Sequence, residues 1–323
     1  MTTINLEKPE LKALRNQYGE TLATLGATNS NIVVLDADLA CSTQTQKFGD
    51  KFPDRFFNQG ISEQDLINTA AGLATTGKIP FCSTFALFAA GKGWDQIRNT
   101  VCYSGLNVKI CPTHSGLSLG EDGASHQSIE DIALMRVIPG MTVVVPSDAV
   151  ETDRVIRWAA EYYGPVYVRL VRPNCPVIHD NTSYELNPAK PHAIRVEREG
   201  QDITIVATGE TVYHALLAAE RLQAEHGVSA EVLNCLFIKP FDTETLVNSA
   251  RKTGKVLTVE SHQIFGGLAG VVCEELSTHH PTPVQRLGTQ DRFGQSGTGE
   301  ALFKEYGIDW EAIYNQAKSW LKA

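Results

Sequence analysis

An acid, two aromatic rings and a polar loop with two histidines follow one another in the first half of the sequence. Glu63 comes first, Phe85 and Phe88 follow it, and His114 and His126 lie in the loop. A carboxylate can share a proton with a ring nitrogen, and aromatic faces bind flat rings. Imidazoles can bond the hydroxyls of a substrate or transfer a proton to it. This order suggests a site for a flat heteroaromatic cofactor and a polar substrate.

Glu63 and the two phenylalanines each have a structural and a functional interpretation. Ser62 is a suitable N-cap, and a carboxylate in the first turn offsets the helix dipole. The functional alternative for Glu63 is a buried acid that hydrogen-bonds a ring nitrogen. Phe85 and Phe88 are three positions apart at a predicted helix start, where core packing is common. A stacking platform for a planar ring is the functional alternative.

Two further polar groups follow predicted strands. Residues 114–127 form a glycine-rich loop, and ligands bind at the carboxyl ends of strands in open α/β sheets. The loop's histidines and acids match no compact zinc pattern, so no metal ligand is predicted in this chain. Hydrogen bonding to a polyhydroxylated substrate, with one histidine as proton donor, fits better. Arg172 could hold a phosphate at two points or form a surface salt bridge.

A sheet of buried strands must position these groups. Apolar, β-branched runs without alternation predict strands that are buried on both faces and therefore parallel. The predicted strands are residues 31–35, 79–82, 107–111, 141–145 and 166–170. Helical spacing predicts the crossovers at residues 11–25, 63–73, 93–103 and 149–162. The predicted fold class is α/β, with a doubly wound, mostly parallel sheet.

A stretch with three prolines at residues 172–190 interrupts the pattern and is predicted to be a linker. A second, smaller α/β pattern follows it. The predicted strands there are residues 203–207, 230–234 and 256–259, and the predicted helices are residues 211–225, 242–254, 268–276 and 310–321. Asp242 is predicted to cap the second of these helices. The chain is therefore predicted to form two domains, at residues 1–185 and 190–323.

Composition excludes several classes of protein. The 323 residues are 42% hydrophobic and 20% charged, which is typical of a globular α/β protein rather than a disordered one. A net charge of -9 argues against a nonspecific nucleic-acid surface. The N-terminus lacks the apolar segment of a secretory signal, and no run is long enough to span a bilayer. Seven cysteines without a CxxC pair predict reduced, structural thiols in a cytoplasmic protein.

Several segments together resemble the pyrimidine-binding half of transketolase. They are residues 36–42, 60–64, 83–88 and 114–126, followed by Arg172, in the order and at the spacing of that family. The region after Lys190 resembles the family's C-terminal domain. The resemblance therefore covers nearly the whole chain.

The resemblance implies a role for each matching residue around the cofactor. Glu63 would bond the aminopyrimidine ring nitrogen of thiamine diphosphate and favour its imino tautomer. Phe85 and Phe88 would pack on the pyrimidine, and Asp38 would support the cofactor. Gly91 departs from the family pattern, in which a tyrosine usually follows the second phenylalanine.

The resemblance also implies substrate contacts and a division of the catalytic work. Contacts with the hydroxyls and carbonyl of a sugar would come from His114, Asp122 and His126. The sugar phosphate would be held by Arg15, Ser42 and Arg172. The catalytic roles would fall to Glu63 and His126.

Only part of a transketolase is matched. That family also needs a diphosphate-binding domain with a Gly-Asp-Gly start and an Asn-Asn end, which holds the metal, and the sequence contains no such segment. The chain thus resembles the C-terminal subunit of a split transketolase. This implies a separate N-terminal subunit that carries the diphosphate and Mg²⁺ sites, and an α2β2 heterotetramer of the two kinds of chain.

The implied activity is transfer of a two-carbon ketol unit between sugar phosphates. The 1-deoxyxylulose-5-phosphate synthases and the β subunits of 2-oxoacid dehydrogenases share the architecture and remain alternatives. The arginines and the histidine loop favour sugar phosphates over a lipoyl-domain partner. A regulatory or scaffold paralogue is the non-enzymatic alternative, and the intact acid, aromatics and histidines argue against it.

Overall fold

The computed structural model describes Leu6 and residues 8–322. Within these residues the strands form one seven-stranded sheet, one five-stranded sheet and one two-stranded sheet. The strands are β1 (Leu11–Ala13), β2 (Ile32–Asp36), β3 (Phe56–Asn58), β4 (Ile79–Ser83), β5 (Lys109–Ile110), β6 (Thr142–Val144), β7 (Val166–Val168), β8 (Asn174–Pro176), β9 (Arg195–Arg198), β10 (Ile203–Ala207), β11 (Ala230–Asn234), β12 (Phe237–Lys239), β13 (Val256–Gln263) and β14 (Val284–Thr289).

Helices cover the sheets and connect most of the parallel strands. They are α1 (Leu14–Thr28), α2 (Ala40–Thr43), α3 (Gln46–Gly49), α4 (Glu63–Thr75), α5 (Ala86–Lys92), α6 (Trp94–Gln96), α7 (Asp131–Arg136), α8 (Ala149–Glu161), α9 (Thr211–His226), α10 (Thr243–Thr253), α11 (Leu268–His279), α12 (Gly299–Glu305) and α13 (Trp310–Lys322). The helix predicted at residues 93–103 begins as α6 and continues as a π-helix over Ile97–Cys102. No helix in the described part of the chain is long and apolar enough to cross a bilayer.

The seven-stranded sheet confirms the predicted doubly wound arrangement. Its strand order is β12-β6-β7-β5-β4-β2-β3, and the neighbouring pairs are parallel except for β12, which runs antiparallel to β6. The interior strands β2, β6 and β7 are buried along their whole length. Such strands must be apolar on both faces, which is why their sequences show no alternation.

The five-stranded sheet has the order β14-β13-β10-β11-β9, with β9 antiparallel to β11. Strand β12 belongs to the second α/β pattern of the sequence but pairs with β6 at the edge of the first sheet. One cluster of buried side chains is continuous between the two sheets, with Val143 and Val145 from the first and Val206 and Leu233 from the second. This shared core fixes the two sheets relative to each other.

The predicted linker at residues 172–190 is only partly correct. Its strand β8 pairs antiparallel with β1, and Leu11 lies opposite Pro176. The helix that was predicted from residue 11 therefore begins at Leu14, because the three preceding residues are extended in this pair. The pairing ties the N-terminal region to the segment between the two large sheets.

Two local predictions at helix ends have different outcomes. Asp242 caps α10 as predicted, since its side chain accepts a hydrogen bond from the Thr245 amide. Ser62 precedes α4, but its side chain makes no capping bond and donates instead to the Gln59 carbonyl at 2.8 Å. Ser62 therefore occupies the predicted N-cap position, but the side-chain capping bond is absent. All seven cysteines are free; five are buried, whereas Cys41 is exposed, so the expectation of buried structural thiols fails there.

Candidate active site

Glu63 is a buried acid at the start of a helix. It is the first residue of α4 and only 5% exposed. Its Oε2 atom lies 3.4 Å from the Nζ atom of Lys92, which is itself more than half exposed. Burial rather than capping thus distinguishes this carboxylate, and Lys92 is a nearby cation that could balance its charge.

The two aromatic rings lie at the entrance to α5. Phe85 precedes the helix and Phe88 lies in its first turn, with ring centroids 6.0 Å apart and planes inclined by 18°. His114 stacks on Phe85 with a centroid distance of 3.9 Å. Phe88 is partly exposed, and the Lys92 ammonium lies 4.5 Å from its centroid. Phe88 is therefore the more open of the two rings.

His114 is held in an unusual backbone conformation and is neutral at ordinary pH. Its φ of 62° is left-handed, and Nδ1 lies 2.7 Å from the Thr113 hydroxyl. Burial, together with the charges of Arg15 and Arg172, lowers the pKa of His114 to about 3. A neutral imidazole can hydrogen-bond a substrate hydroxyl, but it does not carry a positive charge.

The structure brings His126 into the same group of rings. Its ring centroid lies 5.3 Å from that of Phe88, in an edge-on contact, and Nδ1 lies 3.0 Å from the Ser125 hydroxyl. Asp122 lies in the same loop and is exposed to solvent. The predicted histidine loop thus meets the aromatic pair, with His114 buried beneath and His126 partly exposed at the edge.

Three predicted phosphate-binding residues also lie together. The Arg15 guanidinium donates to the carbonyl of Ser42 at 2.8 Å and to that of Arg172 at 3.2 Å. Burial and the nearby Arg172 charge lower the pKa of Arg15. Arg172 donates to the Leu119 carbonyl at 2.7 Å and pairs with Glu121 at 2.9 Å. Two close guanidinium groups favour the binding of an anion, and Arg172 also forms the salt bridge considered as its structural alternative.

Asp38 lies at the same carboxyl edge of the sheet. It follows β2, the parallel neighbour of the strand that leads to Phe85. Asp38 is exposed with a φ of 64°, and its side chain and amide both bond Asn58, which ends β3. The turn is therefore held by Asn58, and the Asp38 carboxylate faces solvent at the sheet edge.

Three residues of this region were missed at the level of sequence. Lys92 lies one helical turn after Phe88, and that spacing could have indicated its contact with the ring. Thr113 bonds the His114 ring, and Glu121 neutralises part of the Arg172 charge. The contacts of Lys92 with Glu63 and of Glu121 with Arg172 join separate segments, so the sequence gave no signal for those two pairs.

A cavity of about 660 Å³ adjoins the arginine group. Arg15 and Arg172 line it from the first domain, and His214, Lys304 and Trp310 line it from the second. Burial lowers the pKa of His214 to about 4, so this histidine is neutral as well. The anion-binding groups therefore face a cleft that both α/β patterns form.

Comparison with known proteins decides the family. The family model for the transketolase pyrimidine-binding domain matches residues 11–177, and that for the transketolase C-terminal domain matches residues 192–313. The chain belongs to the transketolase family. The resemblance and the fold class predicted from the sequence are thereby confirmed.

Several relatives of similar length are named as a section or a subunit of a transketolase. A protein of Methanocaldococcus jannaschii named as a transketolase C-terminal section is 49% identical over 306 residues, which cover 94% of each chain. The 6-deoxy-6-sulfo-D-fructose transketolase subunit SqwH of a Clostridium species is 39% identical and covers 94% of this chain and 93% of its own. A solved structure of a split-gene transketolase, described as an inactive β4 tetramer, superposes with a TM-score of 0.88 at 48% identity, covering 96% and 99% of the two chains.

Proposed function

We propose that this transketolase-family chain is the subunit that binds the pyrimidine end of thiamine diphosphate. The observation that carries the proposal is the buried Glu63 carboxylate, which lies 3.4 Å from the Lys92 ammonium, while that ammonium lies 4.5 Å from the centroid of the Phe88 ring. The transketolase family depends on thiamine diphosphate. In the proposed assembly, this chain transfers a two-carbon ketol unit between sugar phosphates together with a partner that supplies the rest of the cofactor site.

The residues present fit an aminopyrimidine ring. Phe88 offers a partly exposed aromatic face, and a buried carboxylate lies within reach of the same lysine that covers this ring. When bound, thiamine diphosphate supplies the carbon nucleophile and electron sink that carbon–carbon bond transfer needs. Glu63 would hold a proton against the ring nitrogen, and Lys92 would fix the position of the Glu63 carboxylate. The exposed Asp38 would contact the cofactor from the adjacent strand end.

The histidine loop would orient the sugar. His114 is neutral because its pKa is about 3, so it would bond a hydroxyl or carbonyl oxygen without adding charge. His126 is partly exposed at the edge of the aromatic pair, and it is our candidate for moving a proton to or from the substrate. Asp122 would accept hydrogen bonds from sugar hydroxyls at the outer end of the loop.

Arg15, Ser42 and Arg172 would bind the terminal anion of the substrate. Two guanidinium groups within one cluster can surround a tetrahedral anion with charge-assisted hydrogen bonds. We propose a phosphate as this anion. The Clostridium relative is named for a sulfonated sugar, and a sulfonate has the same tetrahedral shape with one charge less than a phosphate dianion. The reconstitution assay described below therefore compares donors that carry a phosphate with donors that carry a sulfonate.

The partner proposal rests on the likeness to C-terminal sections of split enzymes. We propose that an N-terminal transketolase subunit holds the diphosphate and Mg²⁺, and that two copies of each chain form an α2β2 heterotetramer. The inactive β4 tetramer described for the split-gene relative is consistent with a subunit that self-associates without completing a site. We also propose the division into domains at residues 1–185 and 190–323, whose boundary falls within the gap between the two matched family models.

Reconstitution tests the function. The chain would be purified with its N-terminal subunit and assayed with thiamine diphosphate, Mg²⁺, and ketose donors carrying a phosphate, a sulfonate or neither. Ketol transfer by the complex, with no turnover by this chain alone, is the expected result. Release of CO₂ from pyruvate without ketol transfer would instead identify a synthase of the 1-deoxyxylulose type or an oxoacid dehydrogenase component. A complex that binds no cofactor would indicate that this chain is a regulatory or scaffold subunit.

A further inference from the structure

A second cluster of polar groups is buried where the two α/β patterns meet. Glu151 lies in α8, His179 in the segment between the domains, and Glu197 in β9. One potential ligand atom from each residue lies within 4.8 Å of the others. Glu151 and His179 are buried, and Glu197 is partly buried. None of these residues belongs to the proposed active site, so the cluster requires a separate explanation.

Asp148 fixes the orientation of the histidine ring. Its Oδ2 atom lies 3.0 Å from His179 Nδ1 and also accepts the backbone amides of Ile178 and His179 at 2.9 Å each. Its Oδ1 atom accepts the Glu151 amide at the start of α8. A ring that donates from Nδ1 to this carboxylate has Nε2 as its second group, which bonds Glu197 Oε1 at 2.9 Å; loss of the Nε2 proton would offer that nitrogen to an ion. Metal-ligating histidines are commonly held by a carboxylate in this way.

The Nε2 side of the ring faces the two other carboxylates. His179 Nε2 lies 2.9 Å from Glu197 Oε1 and 3.9 Å from Glu151 Oε1. The second oxygen of Glu151 is held by the amide and the hydroxyl of Ser147, at 2.8 and 2.7 Å. One nitrogen and two carboxylate oxygens thus converge on one point, with their supporting bonds already made.

A buried amide completes the ring of polar atoms. Asn234 ends β11 and is fully buried; its Nδ2 atom lies 2.9 Å from Glu151 Oε1 and 3.1 Å from Glu197 Oε1. Its Oδ1 atom is buried and has no hydrogen-bond partner. A half-turn of the amide would point Oδ1 at the cluster and would give up the two Nδ2 bonds to Glu151 and Glu197, which contacts with a bound ion would replace. The amide oxygen is therefore available as a fourth ligand.

Charge and access also suit a cation. Asp148, Glu151 and Glu197 place three carboxylates around His179, with the exposed Arg195 3.3 Å from the outer oxygen of Glu197. The cluster therefore attracts one positive charge. A cavity of about 280 Å³, lined by His179 and Glu197, connects it with the surface.

We propose that this cluster binds one divalent transition-metal ion through His179 Nε2 and carboxylate oxygens of Glu151 and Glu197, with Asn234 Oδ1 as the fourth ligand. A mixed set of one imidazole and three oxygens suits Zn²⁺ or Mn²⁺. The ligands come from α8, the interdomain segment, β9 and β11, so the ion would join the two domains. Its role would be structural, because the site lies apart from Glu63 and from the arginine group.

Equilibrium dialysis of the full-length, untagged chain tests the proposal without the partner subunit. After treatment with a chelator, the chain would be dialysed against micromolar Zn²⁺ and, separately, Mn²⁺, and its bound metal measured by elemental analysis. We expect one ion per chain and a rise of about 4 °C in Tm when the free ion is in large excess over Kd. Co²⁺ should give visible absorption bands typical of a site with few ligands.

Variants of the cluster separate a metal site from adventitious binding. Glu197→Gln and His179→Gln keep the size and much of the hydrogen bonding of each side chain but remove a strong ligand, and should weaken binding at least tenfold. Asp148→Asn should weaken it about 10- to 100-fold, because it disturbs the ring orientation. His279→Gln is the matched control, since His279 lies 3.5 Å from Glu275 on the exposed end of α11 and should leave binding unchanged.

Two outcomes would overturn the proposal. A wild-type chain that stays free of Zn²⁺ and Mn²⁺ under these conditions would identify His179 as a protonated residue clamped by carboxylates. Binding that survives in both His179→Gln and Glu197→Gln would place the ion elsewhere. The wild-type measurement decides the first outcome even if a variant fails to fold, and neither outcome bears on ketol transfer.

Discussion

Lys92 and Glu63 form an ion pair across the proposed cofactor site, with Nζ 3.4 Å from Oε2. The carboxylate is buried, and the lysine is largely exposed and also covers the Phe88 ring. The pair therefore joins the proposed proton-holding group to the proposed stacking surface. A single cation can fix the position of both, and the first two predictions test each half of this relationship.

Glu63→Gln should leave the fold intact and remove most turnover of the reconstituted enzyme. The amide fills the same space but cannot exchange a proton with the ring nitrogen, so we expect a loss of about 10²- to 10⁴-fold in kcat. Asp65→Asn is the matched control, because Asp65 is an exposed acid in the same helical turn. Near-normal turnover of Glu63→Gln, measured with saturating cofactor, would contradict the proposed role of Glu63.

Lys92→Met should lower kcat without changing KM for the sugar. The ammonium is exposed to solvent, so its contribution is modest, and we expect about a 3- to 5-fold fall in turnover. Lys92→Arg should restore most of the activity, since the charge is kept. Lys51→Met serves as a control at an exposed lysine outside the site. An unchanged kcat in Lys92→Met would mean that the ion pair has no positioning role.

Arg172→Met should weaken the binding of anionic sugars in particular. Loss of a charge-assisted bond corresponds to about a 10- to 100-fold rise in KM for a phosphorylated ketose, with a small change in kcat. KM for a substrate without the anion should stay the same. Arg251→Met removes an exposed arginine from α10 and should have no effect. A uniform rise in KM for charged and neutral sugars would indicate general damage to the site instead.

His114 should make the folded chain sensitive to acid. Its pKa is about 3 in the folded chain, whereas an unperturbed histidine has a pKa of 6.5, so the unfolded chain binds a proton first as the pH falls. The contribution of the neutral His114 ring to the unfolding free energy is fully present above pH 6.5. This contribution is lost progressively as the pH falls toward 3. Between pH 6.5 and pH 5, this loss amounts to about 2 kcal/mol of unfolding free energy.

Urea unfolding at several pH values would measure this effect. His114→Gln cannot take up the proton, so its unfolding free energy should fall less between pH 6.5 and pH 5 than that of the wild-type chain. His279→Gln, at an exposed helix end, should follow the wild-type curve. Parallel curves for the wild type and His114→Gln would show that His114 is not protected from protonation in the folded state.

The buried strands and the order of the site residues were accessible from the sequence. Runs such as residues 31–35 and 141–145 are apolar throughout, and such runs can be placed only inside a sheet with both faces covered. Asp242 was also recognised as a helix cap, because capping depends on residues three positions apart. Ser62 shows the limit of that argument, since its hydroxyl prefers the Gln59 carbonyl behind it.

Pairings across long stretches of chain were not accessible in the same way. Leu11 lies opposite Pro176, and β12 crosses to the edge of the first sheet, although neither strand carries a strong local pattern. Short strands at sheet edges depend on the surface that other elements offer them. From the sequence, β1 was therefore assigned to a helix and β12 to the second domain.

The sequence by itself determined the family, the fold class and the set of groups at the sheet edge, because periodicity and motif order are properties of neighbouring residues. Tertiary structure decided which of those groups share an environment. It buried Glu63 beside Lys92, made His114 neutral, and gathered His179 and Asn234 with two glutamates from distant segments. Protonation and ligation depend on distances between side chains and on their exposure to water, and only the folded chain sets these.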